Sequence, residues 1–199
     1  EDAADNTKSV ETEATTTVAN DWETLTFDFA NQAAGTAALN LTYTYNKISI
    51  FFNFGVTGAT AGEKTYYFDD VAFGGGTTPP PSTWETITFD SNAVTYTLTG
   101  FGGADDSTVV VDPTNAANNV AKVVKSGSAE LWAGTTVSTG ANQSVPTLSF
   151  TASDTTMTVR VWSPDAGIQV RLKVEDAADN TKSVETEATT TVANDWETL

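Results

Sequence analysis

Five residues of this chain carry the side chains that a sugar-binding surface needs. A sugar presents apolar C–H faces and hydroxyl edges, so a receptor sets flat aromatic rings beside planar hydrogen-bonding groups. Trp162 shares the polar face of the stretch MTVRVW (157–162) with Arg160. Gln169 and Arg171 lie on the polar face of the following stretch, IQVRLKV (168–174), and Trp132 alternates against Leu131 and Ala133 in AELWAG (129–134). A Trp beside an Arg on a polar sheet face is a platform for a sugar ring. The same Trp also suits a sandwich edge, where it covers the core or meets a neighbouring repeat. Trp22, Trp84 and Trp196 each precede an ETL or ETI segment and read as core or rim anchors.

Catalysis finds fewer parts. A glycosidase needs two carboxylates facing one another across a cleft. With 26 Asp and Glu in 199 residues, carboxylate pairs arise from abundance alone, and most acids fall in turn stretches or at strand ends. The chain has no His, no Cys and no GxSxG, so a nucleophilic triad has nothing to be built from. The expectation is a protein that is not an enzyme. Nine basic residues against 26 acidic ones give a net charge of -17. Such a surface repels nucleic-acid phosphates and anionic lipid heads and attracts divalent cations. No run of 18 apolar residues is present in this window, so no membrane-spanning helix is expected from it.

The elements that must hold these residues read as strands. Met157, Val159 and Val161 alternate with Thr158, Arg160 and Trp162, and Ile168, Val170, Leu172 and Val174 alternate with Gln169, Arg171 and Lys173. Period two means one buried and one exposed face. ISIFFNF (48–54) and TYYFDDVAF (65–73) are aromatic-rich strands, and NVAKVV, AELWAG and TLSFTA are shorter candidates. Turn signals separate them, among them TGFGGADDS, SPDAG, EDAADN and VTGATAGEK. DPTNAANNVAK has room for one helical turn after Pro113. The fold class expected is all-β, an antiparallel β-sandwich or jelly roll with at most one or two helical turns.

Two further features set the organisation. Residues 1–25, EDAADNTKSVETEATTTVANDWETL, recur letter for letter at 175–199, an offset of 174 residues. Self-similarity at a fixed period marks tandem repeats, whereas a duplicated tag would not carry strand patterning such as WETL. GGGTTPPPST (74–83) cannot build a core and reads as an extended linker. On this reading 1–73 is the second half of one sandwich repeat, and 84–199 is the first part of the next. Two closures are open: 1–73 folds back on 84–174 within the chain, with the Pro-rich stretch as a surface loop and 175–199 leaving the body to join the next unit, or each half is completed by a neighbouring copy. The spacer-like linker composition favours the second, in which Val170 and Leu172 pack against Ile48 and Ile50 of that copy and not of their own chain.

A unit spliced through the repeat opens with WETITFD (84–90), continues through TVRVWSPDAGIQVRLKVED (158–176) and DWETLTFDF (21–29), and closes with YYFDDVAF (66–73). It resembles the β-jelly-roll carbohydrate-binding modules of the galactose-binding-like superfamily, which recur in secreted, multi-domain glycan-active and surface proteins. The resemblance implies an extracellular or cell-surface location. It also implies a structural Ca²⁺ where the first and last strands meet, at positions matching Asp90, Asp69 and Asp70. Alternation sends Asp69 and Asp70 to opposite faces, and Asp69 is the one expected to face such a site. A second acidic cluster, Asp105, Asp106 and Asp112, lacks EF-hand spacing.

Two functions fit. The first is a non-catalytic unit of a secreted or cell-surface array forming an adhesive stalk or filament, with neighbouring copies of the same repeat as partners. The alternative is a carbohydrate-binding module repeated for avidity, attached to a polysaccharide-degrading enzyme, with polysaccharide as the partner. Letter-for-letter repetition favours the first, because a fibre needs the same interface at every step.

Overall fold

The computed structural model describes residues 26–74, 84–191 and 193–198. The first copy of the repeat, 1–25, and nearly all of the Gly/Pro-rich stretch, 75–83, lie outside the described residues. Two antiparallel sheets make a β-sandwich. One contains β1 (Thr26–Asp28), β3 (Lys64–Phe73), β5 (Thr108–Asp112), β6 (Asn115–Lys125), β8 (Thr156–Ser163) and β11 (Asp195–Thr198). Its order is β1-β8-β3-β6-β5, with β11 also paired to β8. The other contains β2 (Lys47–Phe52), β4 (Thr97–Phe101), β7 (Gly134–Ser138), β9 (Gln169–Asp176) and β10 (Asp179–Thr189), in the order β10-β9-β2-β7-β4.

The alternation read from MTVRVW holds along β8, where Met157, Val159 and Val161 are fully buried and Thr158, Arg160 and Trp162 lie on the opposite face. Val170, Leu172 and Val174 of β9 meet them in one core together with Ile48, Ile50 and Phe52 of β2 and Tyr66 and Phe68 of β3. The sheets are tied ring to ring: Phe52 stacks on Tyr66 with centroids 4.7 Å apart and planes 4° from parallel. Among the described residues, helix is confined to one turn, α1 (Gly58–Ala61), and a 3-10 turn at Ala141–Gln143.

Three local expectations are corrected. The helical turn expected after Pro113 is a hairpin turn instead. The Asp112 carboxylate accepts from the backbone N–H and the hydroxyl of Thr114, both at 2.7 Å, and turns the chain directly from β5 into β6. AELWAG is a turn ahead of β7, with only Gly134 in a strand. TLSFTA contributes only isolated bridges at Leu148 and Thr151.

The larger correction concerns the two halves. Ile48 pairs with Val174, Ile50 with Leu172 and Phe52 with Val170 in the same chain, so 26–73 and 84–191 share one core. The chain on either side of the Gly/Pro-rich stretch is already side by side. Val71 and Ile87 exchange two backbone hydrogen bonds of 3.0 and 2.9 Å. A connection whose flanks pair this closely bridges two adjacent segments of one sheet, and the free edge of β9 is filled by β2 without a second molecule.

Candidate functional site

The outer face of the five-stranded sheet holds a cleft of about 740 Å³. Its rim is aromatic. Trp132 is 45% exposed and lies nearly parallel to Phe101, with centroids 6.2 Å apart and planes 18° apart. Phe51 meets Phe101 edge-on at 5.5 Å, and Phe54 meets Phe51 at 5.9 Å. Two glycines make room for this row. Gly102 has φ +64, and a Cβ there would sit 2.8 Å from the Trp132 ring. A Cβ on Gly134 would lie 2.7 Å from Phe51 and 2.8 Å from Phe101. Both are closer than carbon atoms pack, so the platform depends on these two missing side chains.

The floor of the cleft is a charge ladder. Arg171 donates to Glu187 through its guanidinium, and its Nη1 lies 3.0 Å from Glu185 Oε2. The Gln169 amide also donates to Glu187. Lys173 Nζ stands 2.9 Å from Glu175 and 3.6 Å from Glu185, and Lys47 stands 3.4 Å from Glu175. Antiparallel register builds the ladder, because Glu185 faces Lys173 and Glu187 faces Arg171 across β10 and β9. The guanidinium carbon of Arg171 also lies over the Phe54 ring, 3.2 Å from its centroid. Lys125 holds the backbone that leads to Phe54. Its Nζ donates to the carbonyls of Phe52 and Asn53 at 3.1 and 2.9 Å, fixing the left-handed Asn53 (φ 49) that turns the chain into Phe54. Burial pushes the Lys125 amine down to about 8.

Burial opposes charge throughout the ladder, yet the pairs hold. Desolvation would raise Glu175, but Lys173 and Lys47 outweigh it and hold the carboxyl below its ordinary value. Desolvation would lower Lys173, and Glu175 and Glu185 outweigh it. Three of the nine basic residues in the chain are here, matched by three Glu. Counted with Glu187, the partner of Arg171, the ladder is therefore neutral in a molecule of net charge -17. It offers hydrogen-bonding edges without a net field, which suits an uncharged ligand.

The five residues expected at a sugar platform are thus divided between two surfaces. Trp132 and Arg171 line the cleft, while Gln169 lies outside the lining and donates to Glu187, the partner of Arg171. Arg160 and Trp162 lie across the sandwich on the outer face of the six-stranded sheet. There Trp162 pairs with Trp196 of β11 and meets Tyr67 edge-on at 5.4 Å. Arg160 covers the Trp196 ring at 4.5 Å, and the Trp196 indole N–H donates to Thr114 at 2.8 Å. The expectation that Trp196 is an anchor fits its 1% exposure, and Trp84 packs against the core. Trp22 lies outside the described residues.

Phe51, Phe54, Phe101, Lys47, Glu175 and Glu185 line the cleft, Glu187 pairs with Arg171 outside the lining, and none of them was singled out from the sequence. A signal existed for the acids. ETE at 185–187 places two carboxylates on one strand face, two residues apart, as Arg171 and Lys173 are on theirs.

The acidic residues expected to hold calcium are placed as follows. Asp69 is 1% exposed, beneath Asn118 and Arg160 on the outer face. Its Oδ2 accepts from Asn118 at 2.9 Å and lies 3.7 Å from Arg160, while its Oδ1 has no hydrogen-bond partner. Burial pushes the carboxyl up to about 7, against the Asn118 hydrogen bond. Asp70 sits at a bulge in β3 with φ 47. Asp90 is turned to Asn119, accepting from its backbone N–H at 2.8 Å and its side-chain amide at 3.0 Å. Asp112 takes the Asn118 amide at 3.3 Å, while Asp105 and Asp106 are exposed. Among the described residues, no three acidic side chains converge as metal ligands. Asp69 Oδ1 is the buried oxygen of this set with no hydrogen-bond partner, and without converging ligands around it the fit to calcium is poor.

Compared with protein families, with curated proteins and with solved structures, the chain matches none. The two-sheet architecture stands on the structure, and the resemblance to carbohydrate-binding modules gains no support from relatives.

Proposed function

We propose that this chain is a non-catalytic glycan-binding sandwich, with an uncharged polysaccharide seated in the cleft of the five-stranded sheet. One observation carries this reading: an exposed Trp132 stacked on Phe101 borders a ladder of hydrogen-bonding side chains whose charges are paired. Aromatic faces take the apolar side of a sugar ring, and the carboxylates, guanidinium and amide take its hydroxyls. The cleft also reverses the preference drawn from repetition, since a stalk unit needs no such hollow. Repetition would then raise avidity for a polymer that offers many equal sites. The relation to jelly-roll carbohydrate-binding modules, the secreted or cell-surface location and attachment to a polysaccharide-degrading enzyme belong to the same proposal. Calcium is a weaker part of it and rests on Asp69 alone.

The test is retention of the 199-residue chain on a panel of insoluble neutral polysaccharides, beside Trp132→Ala. Retention on at least one, lost in the variant, supports the reading. Retention on none, or equal retention of the variant, removes the cleft as a glycan site.

A further inference from the structure

The edge partner of β8 is assembled from two pieces of chain that are far apart in sequence. Asp195, Trp196, Glu197 and Thr198 pair with Ser163, Trp162, Val161 and Arg160. Thr26, Phe27 and Asp28 pair with Thr158, Met157 and Thr156. One residue of β8, Val159, lies between the two sets. In the sequence one residue, Leu25, lies between Thr24 and Thr26, and 21–25 is DWETL, identical to 195–199. The eight letters DWETLTFD at 21–28 therefore fit the whole edge of β8, Ser163 to Thr156, in the register the two pieces already occupy. The same holds upstream. Val10, Glu11, Glu13 and Ala14 repeat Val184, Glu185, Glu187 and Ala188, which face Val174, Lys173, Arg171 and Val170 of β9.

We propose that the edges of β9 and β8 form a strand-docking site that residues 1–25 of the same chain can occupy in place of 175–199. The two closures bury the same side chains against the same partners. They differ only in where the backbone is interrupted: between 199 and 26 on the edge of β8, or after Val174 in β9. The second closure needs no new linkage, since Leu25 is already bonded to Thr26. Glu11 and Glu13 then supply the ladder carboxylates otherwise given by Glu185 and Glu187. The copy left out is a 25-residue arm complementary to this same edge. Docking here is independent of glycan binding at the cleft.

Val184 is fully buried opposite Val174, so an Asp there excludes that copy from the site. The experiment compares the 199-residue chain with V10D, V184D and V10D/V184D by thermal unfolding and by limited trypsin digestion read by mass. A set with Ala in place of Asp repeats the comparison under milder damage. V10D is expected to melt with the wild type. V184D is expected to lose less than half of what the double variant loses, and to move the first cleavage from Lys8 to Lys182. A V184D chain as unstable as the double variant would overturn the proposal. So would rescue of V184D that appears only with dimer formation on concentration, which would assign the site to residues 1–25 of a second molecule.

Discussion

Trp132 and Asp69 show what single residues settle. A ring 45% exposed on a turn contributes little to folding, because surface substitutions usually change stability by less than about 0.5 kcal/mol. Trp132→Ala should therefore keep the melting temperature close to wild type while removing glycan retention. Asp69 behaves in the opposite way. Its carboxyl ionises near 3.8 in an unfolded chain and at about 7 in the fold. Between those values the folded state holds a proton that the unfolded state has released. Its contribution to stability is thus full below about 3.8 and is lost as the pH rises through about 7, by up to roughly 4 kcal/mol at 1.36 kcal/mol per unit. With chelator present, the stability difference between wild type and Asp69→Asn should fall steadily from pH 4 to pH 7. A difference that stays flat would contradict the burial argument. Millimolar calcium that raises the melting temperature of wild type and not of Asp69→Asn at pH 7 would restore the cation reading. Trp132 was legible in the sequence as a candidate, but for the wrong reason. Alternation suggested a strand, whereas the turn ahead of β7 is what exposes the ring.

At the scale of elements, strands with a clean apolar period were legible and polar ones were not. β8 and β9 follow from Met157 to Val161 and from Val170 to Val174. β10 has only Val184, Thr186 and Ala188 on its core face, two of them apolar, so its letters look like solvent-facing chain. Yet its Glu185 and Glu187 close over Arg171, which is left 7% exposed. The polar face of β9 is therefore an ion ladder, paired and little exposed, at the floor of the cleft and not a freely solvated surface. Burying charge is costly unless each group is paired, and removing one partner of a buried pair costs about 3–5 kcal/mol. Arg171→Met should lower the stability in denaturant by that order, since Glu187 loses its guanidinium partner. A loss below about 1 kcal/mol would mean that the ladder is solvated. Glu175 adds a pH dependence of the opposite sign to Asp69. Its carboxyl is held low in the fold, so its stabilisation is present above the ordinary Glu value and is lost as the pH falls through the folded one.

For the molecule as a whole, composition and alternation were enough for an all-β sandwich, but not for how its halves meet. A Pro-rich stretch looks like a spacer in any sequence. That its flanks pair through Val71 and Ile87 is a long-range fact which no local pattern encodes. Because 26–73 and 84–191 share one core, unfolding should be one cooperative transition. Two transitions separable by their signals would mean that the halves are independent. The filament reading keeps its own test: imaging at high concentration should show regular fibres with a domain-sized repeat if neighbouring copies associate. The glycan reading makes the sharper claim, because it chooses between two faces of one sandwich. Trp132 marks the five-stranded face and Trp162 the six-stranded face. The most direct measurement is the affinity of wild type, Trp132→Ala and Trp162→Ala for the same retained polysaccharide. Binding lost in Trp132→Ala and kept in Trp162→Ala is the expected result; the reverse order would place the ligand on the other sheet and contradict the account.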